Sequence, residues 1–388
     1  MIYLDNAATT GVKPPEVIKA VDKAMREYSV NPGRGGYKQS VDCSEQIYRC
    51  RDKLASFFGA QAPERVIFTS GCTAALNTVI KGIVRPGDHF VISSLEHNSV
   101  ARPSYKLKGM GADLDVAEVI FGDREATVRS FERLIRKDTR LVVCTHASNV
   151  TGTVLPIKEI GILCAEMGVP FCVDAAQTAG ILDIDMKEQM IDYLCIAPHK
   201  GLYAPMGIGV LISLGEIPST LLEGGTGSMS SSYTQPKDYP ERFESGTVNV
   251  PGILGLSAGL DFVMKKTPKV IYHHELELIR YAFDGLSKIK GVRIFSEYPL
   301  KDRSVPTLSF NIEGHSSTEV ADFLASNGIA VRAGLHCAPM AHRRLGTLEI
   351  GTVRICCSAF NTRSDIDALL SALRTYIGNR PKNSVNSL

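Results

Sequence analysis

The sequence predicts an α/β protein: a mainly parallel sheet covered by helices on both faces, followed by a smaller α+β domain. Three observations carry this expectation. Short, continuously apolar, β-branched runs recur through the first half of the chain, most of them separated by enough residues for a helix, which is how strands buried on both faces read. From about Glu216 to Pro251 that rhythm breaks into Gly-, Ser- and Pro-rich sequence. Beyond Pro251 long helical stretches precede a few isolated strand-like runs.

In chain order, the predicted strands of the sheet are Val66-Ile67-Phe68, His89-Phe90-Val91-Ile92, Leu141-Val142-Val143-Cys144, Phe171-Cys172-Val173, Tyr193-Leu194-Cys195-Ile196 and Gly209-Val210-Leu211-Ile212. Nearly every one is followed by polar residues or glycine: Thr69-Ser70-Gly71, Glu96-His97-Asn98, His146-Ala147-Ser148-Asn149, Asp174-Ala175-Ala176-Gln177 and His199-Lys200. Ligands of open parallel sheets bind at the carboxyl ends of the strands, so these groups should converge on one edge, the candidate active site. Gly224-Gly225-Thr226-Gly227 and Ser230-Ser231-Ser232 read as loop, punctuated by Pro236, Pro240 and Pro251. The glycine run lacks the preceding βα start and the full spacing of a dinucleotide loop. Helices are expected near 253–265, 272–288 and 363–377, strands near 307–312 and 329–332, and a frayed polar end at 378–382.

Composition narrows the class. A length of 388 residues argues for two or three domains. With 44% hydrophobic and 22% charged residues the chain has the make-up of an ordinary globular protein. A formal charge of +2 lacks the basic excess that nucleic-acid and membrane-surface binding rest on. No apolar run reaches the length of a bilayer span. The start MIYLDNAATT has neither the basic beginning nor the apolar stretch of a signal peptide, and ten cysteines without a CxxC pair do not form a disulfide framework. The expectation is a cytoplasmic, multi-domain enzyme that binds neither nucleic acid nor membrane.

Lys200 closes a buried strand in Ala197-Pro198-His199-Lys200-Gly201, where its amine can be desolvated and its pKa lowered, as a Schiff-base lysine requires. Asp174, at another strand end, reads either as a helix N-cap or as the partner of a buried cation. Pyridoxal phosphate would supply that cation in its pyridinium nitrogen, and an aldehyde for a lysine. Ser70-Gly71-Cys72-Thr73-Ala74-Ala75 leads from a strand through glycine into a helix, whose free N–H groups and Thr hydroxyl suit a phosphate. His97 reads as a ring laid on a flat cofactor or as a satisfied core histidine.

Taken together, these residues resemble the pyridoxal-phosphate-dependent cysteine desulfurases of the class V aminotransferase group. The likeness runs over essentially the whole chain, through Tyr3-Leu4-Asp5-Asn6-Ala7-Ala8-Thr9-Thr10, Thr69-Ser70-Gly71-Cys72-Thr73, Glu96-His97-Asn98, Ser148-Asn149-Val150-Thr151-Gly152, Val173-Asp174-Ala175-Ala176-Gln177, His199-Lys200, Arg242-Phe243-Glu244-Ser245-Gly246-Thr247, His336-Cys337 and Arg354. The resemblance implies the aspartate-aminotransferase-like fold (PLP fold type I), with an arm over 1–15 joining the small domain, a large cofactor domain over 16–252 and a small domain over 253–388. It implies pyridoxal 5'-phosphate held covalently by Lys200, with Asp174 at the pyridine nitrogen, His97 stacked on the ring, Gln177 at the ring oxygen and Asn149 beside cofactor and substrate. Gly71, Cys72, Thr73 and His199 would take the phosphate, Thr247 would reach it from the other subunit of a homodimer, and Arg354 would grip the substrate carboxylate, work that a bidentate guanidinium suits. No metal is implied.

Cys337 lies in Val331-Arg332-Ala333-Gly334-Leu335-His336-Cys337-Ala338-Pro339, a Gly/Pro-bearing loop, whereas Cys172, Cys195, Cys356 and Cys357 lie in apolar runs. A cationic neighbour, His336 or Arg332, is expected to favour its thiolate. A metal set of His336, Cys337 and His342 would lack a fourth ligand. Three positions depart from the family pattern: Leu335 replaces a common histidine, Ala197 a phosphate-binding Ser or Thr, and Cys72 the first Thr of the phosphate turn. The implied reaction converts L-cysteine to L-alanine, with Lys200 moving the Cα proton and Cys337 taking the sulfur as a persulfide for a protein acceptor, whether an iron–sulfur scaffold, a thiolation enzyme or a carrier. A selenocysteine lyase, another C–S lyase or a class V aminotransferase would share Lys200 and Asp174 without needing Cys337.

Overall fold

The computed structural model describes residues 1–33, 35–60 and 62–378; the expected polar end from Asn379 to Lys382 lies outside the described residues. A short strand, β1 (Ile2–Tyr3), and helices α1 (Pro15–Glu27) and α2 (Lys38–Phe57) come first. Then follow β2 (Val66–Thr69), α3 (Cys72–Ile83), β3 (His89–Ser93), α4 (Asn98–Gly109), β4 (Asp113–Ala117), α5 (Arg124–Glu132), β5 (Thr139–Thr145), α6 (Ile157–Met167), β6 (Phe171–Asp174), β7 (Tyr193–Ile196) and β8 (Gly209–Ser213). Strands β2 to β8 form one seven-stranded sheet in the order β2-β8-β7-β6-β5-β3-β4.

Every apolar run expected as a strand is one, because each is buried on both faces. Along β5, Val142 and Cys144 join the core beneath α2 and α6, while Leu141 and Val143 join the opposite core against α3 and α4. Strand β4 escapes the apolar-run criterion: Asp113-Leu114-Asp115-Val116-Ala117 sits at the sheet edge, with Asp113 exposed. β3 to β7 pair in parallel, but β8 runs antiparallel to both neighbours. Residues 197–208 hold no helix, and without a crossover helix the chain returns in the opposite sense.

The second half begins with α7 (Val250–Lys266) and α8 (Pro268–Leu286), then β9 (Val292–Ile294), β10 (Thr307–Ile312), α9 (Ser317–Ser326), β11 (Ile329–Ala330), β12 (Arg332–Gly334), α10 (Pro339–Leu345), β13 (Thr352–Cys356) and α11 (Arg363–Gly378). β12-β13-β10-β9 make an antiparallel sheet whose apolar face packs on α8, α9 and α11. The change in composition at 253 does not coincide with a change of core. Ile253, Leu256, Leu260 and Val263 of α7, and Ile271, Tyr272 and Leu276 of α8, join the core of the large domain, and only from Leu278 does α8 join the small one. At the N-terminus β1 pairs in parallel with β11 and Leu4 enters the small core, so the first residues pack with the second half.

Candidate active site

Several sequence-marked residues surround one cleft at the carboxyl ends of β2, β3, β5, β6 and β7. Lys200 follows β7 in a tight turn, its N–H bonded to the carbonyl of Ala197 (3.1 Å). Burial pushes its amine pKa down, the carboxylate of Asp174 opposes that, and the charge of Arg354 adds to it. Asp174 ends β6 with 3% exposure; its Oδ1 accepts from the N–H of Ala176 (2.9 Å) and from the thiol of Cys72 (3.6 Å). Burial lifts its pKa, against the pull of the Ala176 N–H and of Lys200.

Cys72 opens α3 and Gly71 caps it, so the first N–H groups of the helix, with the exposed Thr73, face outward for an anion. The chain must be glycine where β8 passes behind this turn: a Cβ on Gly209 would lie 2.2 Å from the carbonyl carbon of Gly71. His97 caps α4 with its own ring, Nδ1 accepting from the N–H of Ser99 (3.0 Å), which leaves the ring proton on Nε2. Burial first, then the charges of Lys200, Arg354 and Arg102, push its pKa down to about 4. The ring is therefore neutral at pH 7. His199, beside Lys200, is pushed down to about 4 by burial and by Lys200 and Lys13; its Nδ1 is buried without a partner among the described residues.

Gln177 is half-buried and spends its amide N–H on the carbonyl of Ala7 (3.2 Å). Asn149 joins three parts of the cleft: its Nδ2 donates to the carbonyl of His336 (2.8 Å), and its own carbonyl accepts from Arg354 (2.9 Å). Arg354, in the middle of β13, is 3% exposed, and its second terminal nitrogen donates to Asp5 Oδ1 (2.8 Å) while Nε has no partner among the described residues. Thr247 is exposed and lines, with Thr69, Ser70, Ile208 and Phe243, a cavity of about 260 Å³.

Cys337 alone among the ten cysteines is exposed. Its carbonyl accepts from the N–H of Asn98 (2.7 Å), the residue after His97, which fastens the thiol's turn to the cleft. Of the two expected cationic neighbours, His336 does not carry the charge. His336 is 6% exposed, and burial with the nearby charges of Arg354 and His342 pushes its pKa down to about 2, so it is a neutral ring. Arg332 is turned toward Asp5 (3.8 Å). Among the described residues no group of three His, Cys, Asp or Glu side chains could hold a metal ion.

Four groups near the cleft have no role assigned from the sequence. Asp5 is the counter-charge of Arg354. Lys13 reaches the carbonyl of His199 (3.0 Å), and burial lowers its pKa to about 8. Glu96 is fully buried between the N–H of Thr145 (2.7 Å) and the hydroxyl of Ser93, and burial raises its pKa to about 8. Arg51 of α2 grips Glu244 through both terminal nitrogens (2.8 and 2.6 Å), each side chain under a tenth exposed. The sign for Arg51 was its place on the apolar stripe of α2, with Ile47, Cys50 and Leu54.

The class-V aminotransferase family model matches residues 2–369. A probable cysteine desulfurase of Methanothermobacter thermautotrophicus is 33% identical over 385 residues, 97% of this chain and 95% of that relative. The apo structure of a cysteine desulfurase from Thermococcus onnurineus NA1 superposes with a TM-score of 0.88 at 30% identity, covering 98% of this chain and 95% of the other. The cysteine desulfurase CsdA from Escherichia coli, in its S-sulfonic acid form, superposes with a TM-score of 0.86 at 29% identity, covering 97% and 94%.

Proposed function

We infer, for a chain that belongs to the class-V aminotransferase family, that it is a pyridoxal-phosphate-dependent cysteine desulfurase, converting L-cysteine to L-alanine and leaving the sulfur on Cys337. The observation that carries this reading is the bond from Asn98 N–H to the carbonyl of Cys337: it ties the one exposed cysteine to the residue after His97, beside a desolvated lysine and a buried carboxylate.

The residues fit the cofactor. Asp174 is a buried carboxylate that a pyridinium N–H would satisfy. The N–H groups at Gly71, Cys72 and Thr73, with the unpartnered Nδ1 of His199, suit a phosphate. Lys200 has the depressed amine that covalent attachment needs. When bound, the cofactor supplies an electron sink for charge developing on the substrate's Cα and Cβ.

The chain's own groups would then act as follows. Arg354, fixed by Asn149 and Asp5, holds the substrate carboxylate. His97, neutral, would stack on the cofactor ring without adding positive charge. Lys200 takes the proton from Cα and returns it. The Cys337 thiolate attacks the substrate sulfur; the carbon–sulfur bond breaks, Cys337 keeps the sulfur as a persulfide, and the carbon takes a proton to give alanine. A protein acceptor then collects the sulfur. We place the reaction in a cytoplasmic homodimer in which Thr247 completes the partner's phosphate site; no helix among the described residues is long and apolar enough to cross a membrane.

The test is the visible spectrum of the purified, cofactor-supplied protein, followed by addition of L-cysteine and assay of alanine. A cofactor band that changes with cysteine as alanine appears is expected. A band with no alanine would refute the desulfurase reading, and no band at all would refute the role of Lys200.

A further inference from the structure

We propose that Thr347, His342 and His336 form a buried hydrogen-bonded column that positions the Cys337 turn for sulfur transfer. The proposal rests on the desulfurase reading for what the turn does, but not for the column itself.

The turn has an unusual backbone. His336 and Cys337 have φ of 50° and 55°, two successive non-glycine residues in the left-handed region. Such a conformation persists only where its surroundings hold it. Three hydrogen bonds grip the main chain: Asn98 N–H to the Cys337 carbonyl (2.7 Å), Asn149 Nδ2 to the His336 carbonyl (2.8 Å) and Ala338 N–H to the Leu335 carbonyl (2.8 Å).

The column grips a side chain. Thr347, 1% exposed, has the carbonyl of His342 as acceptor for its hydroxyl proton (3.5 Å), which frees a lone pair for the Nδ1–H of His342 (2.7 Å). His342, fully buried, then presents an unprotonated Nε2 to the Nδ1–H of His336 (3.4 Å), and the two ring planes lie 18° apart. The order of protons is assigned from this network. His336 is thereby fixed in ring orientation.

His342 and Thr347 lie on and just beyond α10, whose capping turn adds a backbone bond from Thr347 N–H to the His342 carbonyl (2.9 Å). Ala338 and Ala341 of the same segment pack into the core of the large sheet. The column therefore connects the Cys337 turn to a rigid element. His342 and Thr347 touch no reacting atom; they are positioning residues.

The experiment compares Thr347→Val with Thr347→Ser, and His342→Phe with His342→Gln, in the full chain. One readout is hydrogen–deuterium exchange of the peptide spanning residues 335–338 in cofactor-free protein; the other is kcat and KM for cysteine in the reconstituted enzyme. Thr347→Val and His342→Phe should exchange faster and lose about tenfold or more in kcat, because a small misplacement of a nucleophile is costly. Their KM should stay within about threefold, since cysteine binding does not use the turn. Thr347→Ser and His342→Gln, which retain a donor and an acceptor, should stay within about threefold of the native protein on both readouts. Thr347→Val matching the native protein in exchange and kcat would overturn the proposal. So would Thr347→Ser failing as Thr347→Val does, because shape and not the hydroxyl would then be the cause. If His342→Phe does not fold, the Thr347 pair decides. If the native protein makes no alanine, the desulfurase reading fails, and the exchange comparison still judges the column.

Discussion

Replacing Arg51 by Met should destabilise the chain by about 3–5 kcal/mol, the cost of leaving a buried carboxylate without its counter-charge. Arg51 and Glu244 are 8% and 7% exposed, and each terminal guanidinium nitrogen donates to one of the two carboxylate oxygens. Glu244 Oε1 also accepts from Phe68 N–H of β2 (2.6 Å), and the guanidinium lies 4.5 Å from the ring of Phe68 and donates to the carbonyl of Val66. The pair thus clamps the turn Glu244-Ser245-Gly246-Thr247 onto β2, the strand that leads into the N-terminal end of α3. Urea unfolding followed by circular dichroism measures the loss, and dilution of the loaded enzyme measures cofactor retention, which should fall with it. Glu244→Gln added to Arg51→Met should restore half of the stability or more, since Gln accepts from Phe68 without a stranded charge. An Arg51→Met protein within about 1 kcal/mol of the native one, a value typical of exposed pairs, would refute this reasoning.

Arg354→Lys keeps the charge but not the fork that holds Asn149 and Asp5, so KM for cysteine should rise by about tenfold or more with a smaller change in kcat; steady-state alanine kinetics check this. Lys200→Ala should abolish alanine formation, and any turnover above background counts against Lys200. Glu275 is 1% exposed and bonded to Tyr203 (3.3 Å), and burial raises its pKa from 4.5 to about 8. A raised carboxyl binds its proton more tightly folded than unfolded, so its stabilisation is full below about pH 4.5 and is lost as pH climbs through about 8. Glu275→Gln should therefore gain stability relative to the native protein between pH 5 and pH 9 in urea titrations, and parallel curves would contradict the assignment.

The large sheet was readable because its strands are buried on both faces, so apolar runs such as Leu141 to Cys144 announce themselves without a partner. β4 was not, since an edge strand carrying Asp113 and Asp115 offers no such run. The direction of β8 was hidden too, because pairing sense depends on a connection whose path through residues 197–208 the apolar pattern does not encode. At the site, Lys200, Asp174 and His97 stood out as polar residues ending apolar strands. Their electrostatic states did not: the neutrality of His336 follows from burial and from Arg354, which is distant in sequence. The same holds for Asp5 and Arg354, 349 residues apart, and for Arg51 and Glu244, 193 apart; these pairs exist only once the chain is folded.

The most direct test of the central claim is Cys337→Ala, loaded with cofactor, given L-cysteine beside the native enzyme, and followed by alanine assay and by mass spectrometry of the peptide carrying residue 337. The account predicts that the native peptide gains one sulfur atom that a reductant removes, and that the variant keeps the cofactor band and its response to cysteine while alanine formation collapses. Alanine formed by Cys337→Ala at the native rate would contradict it.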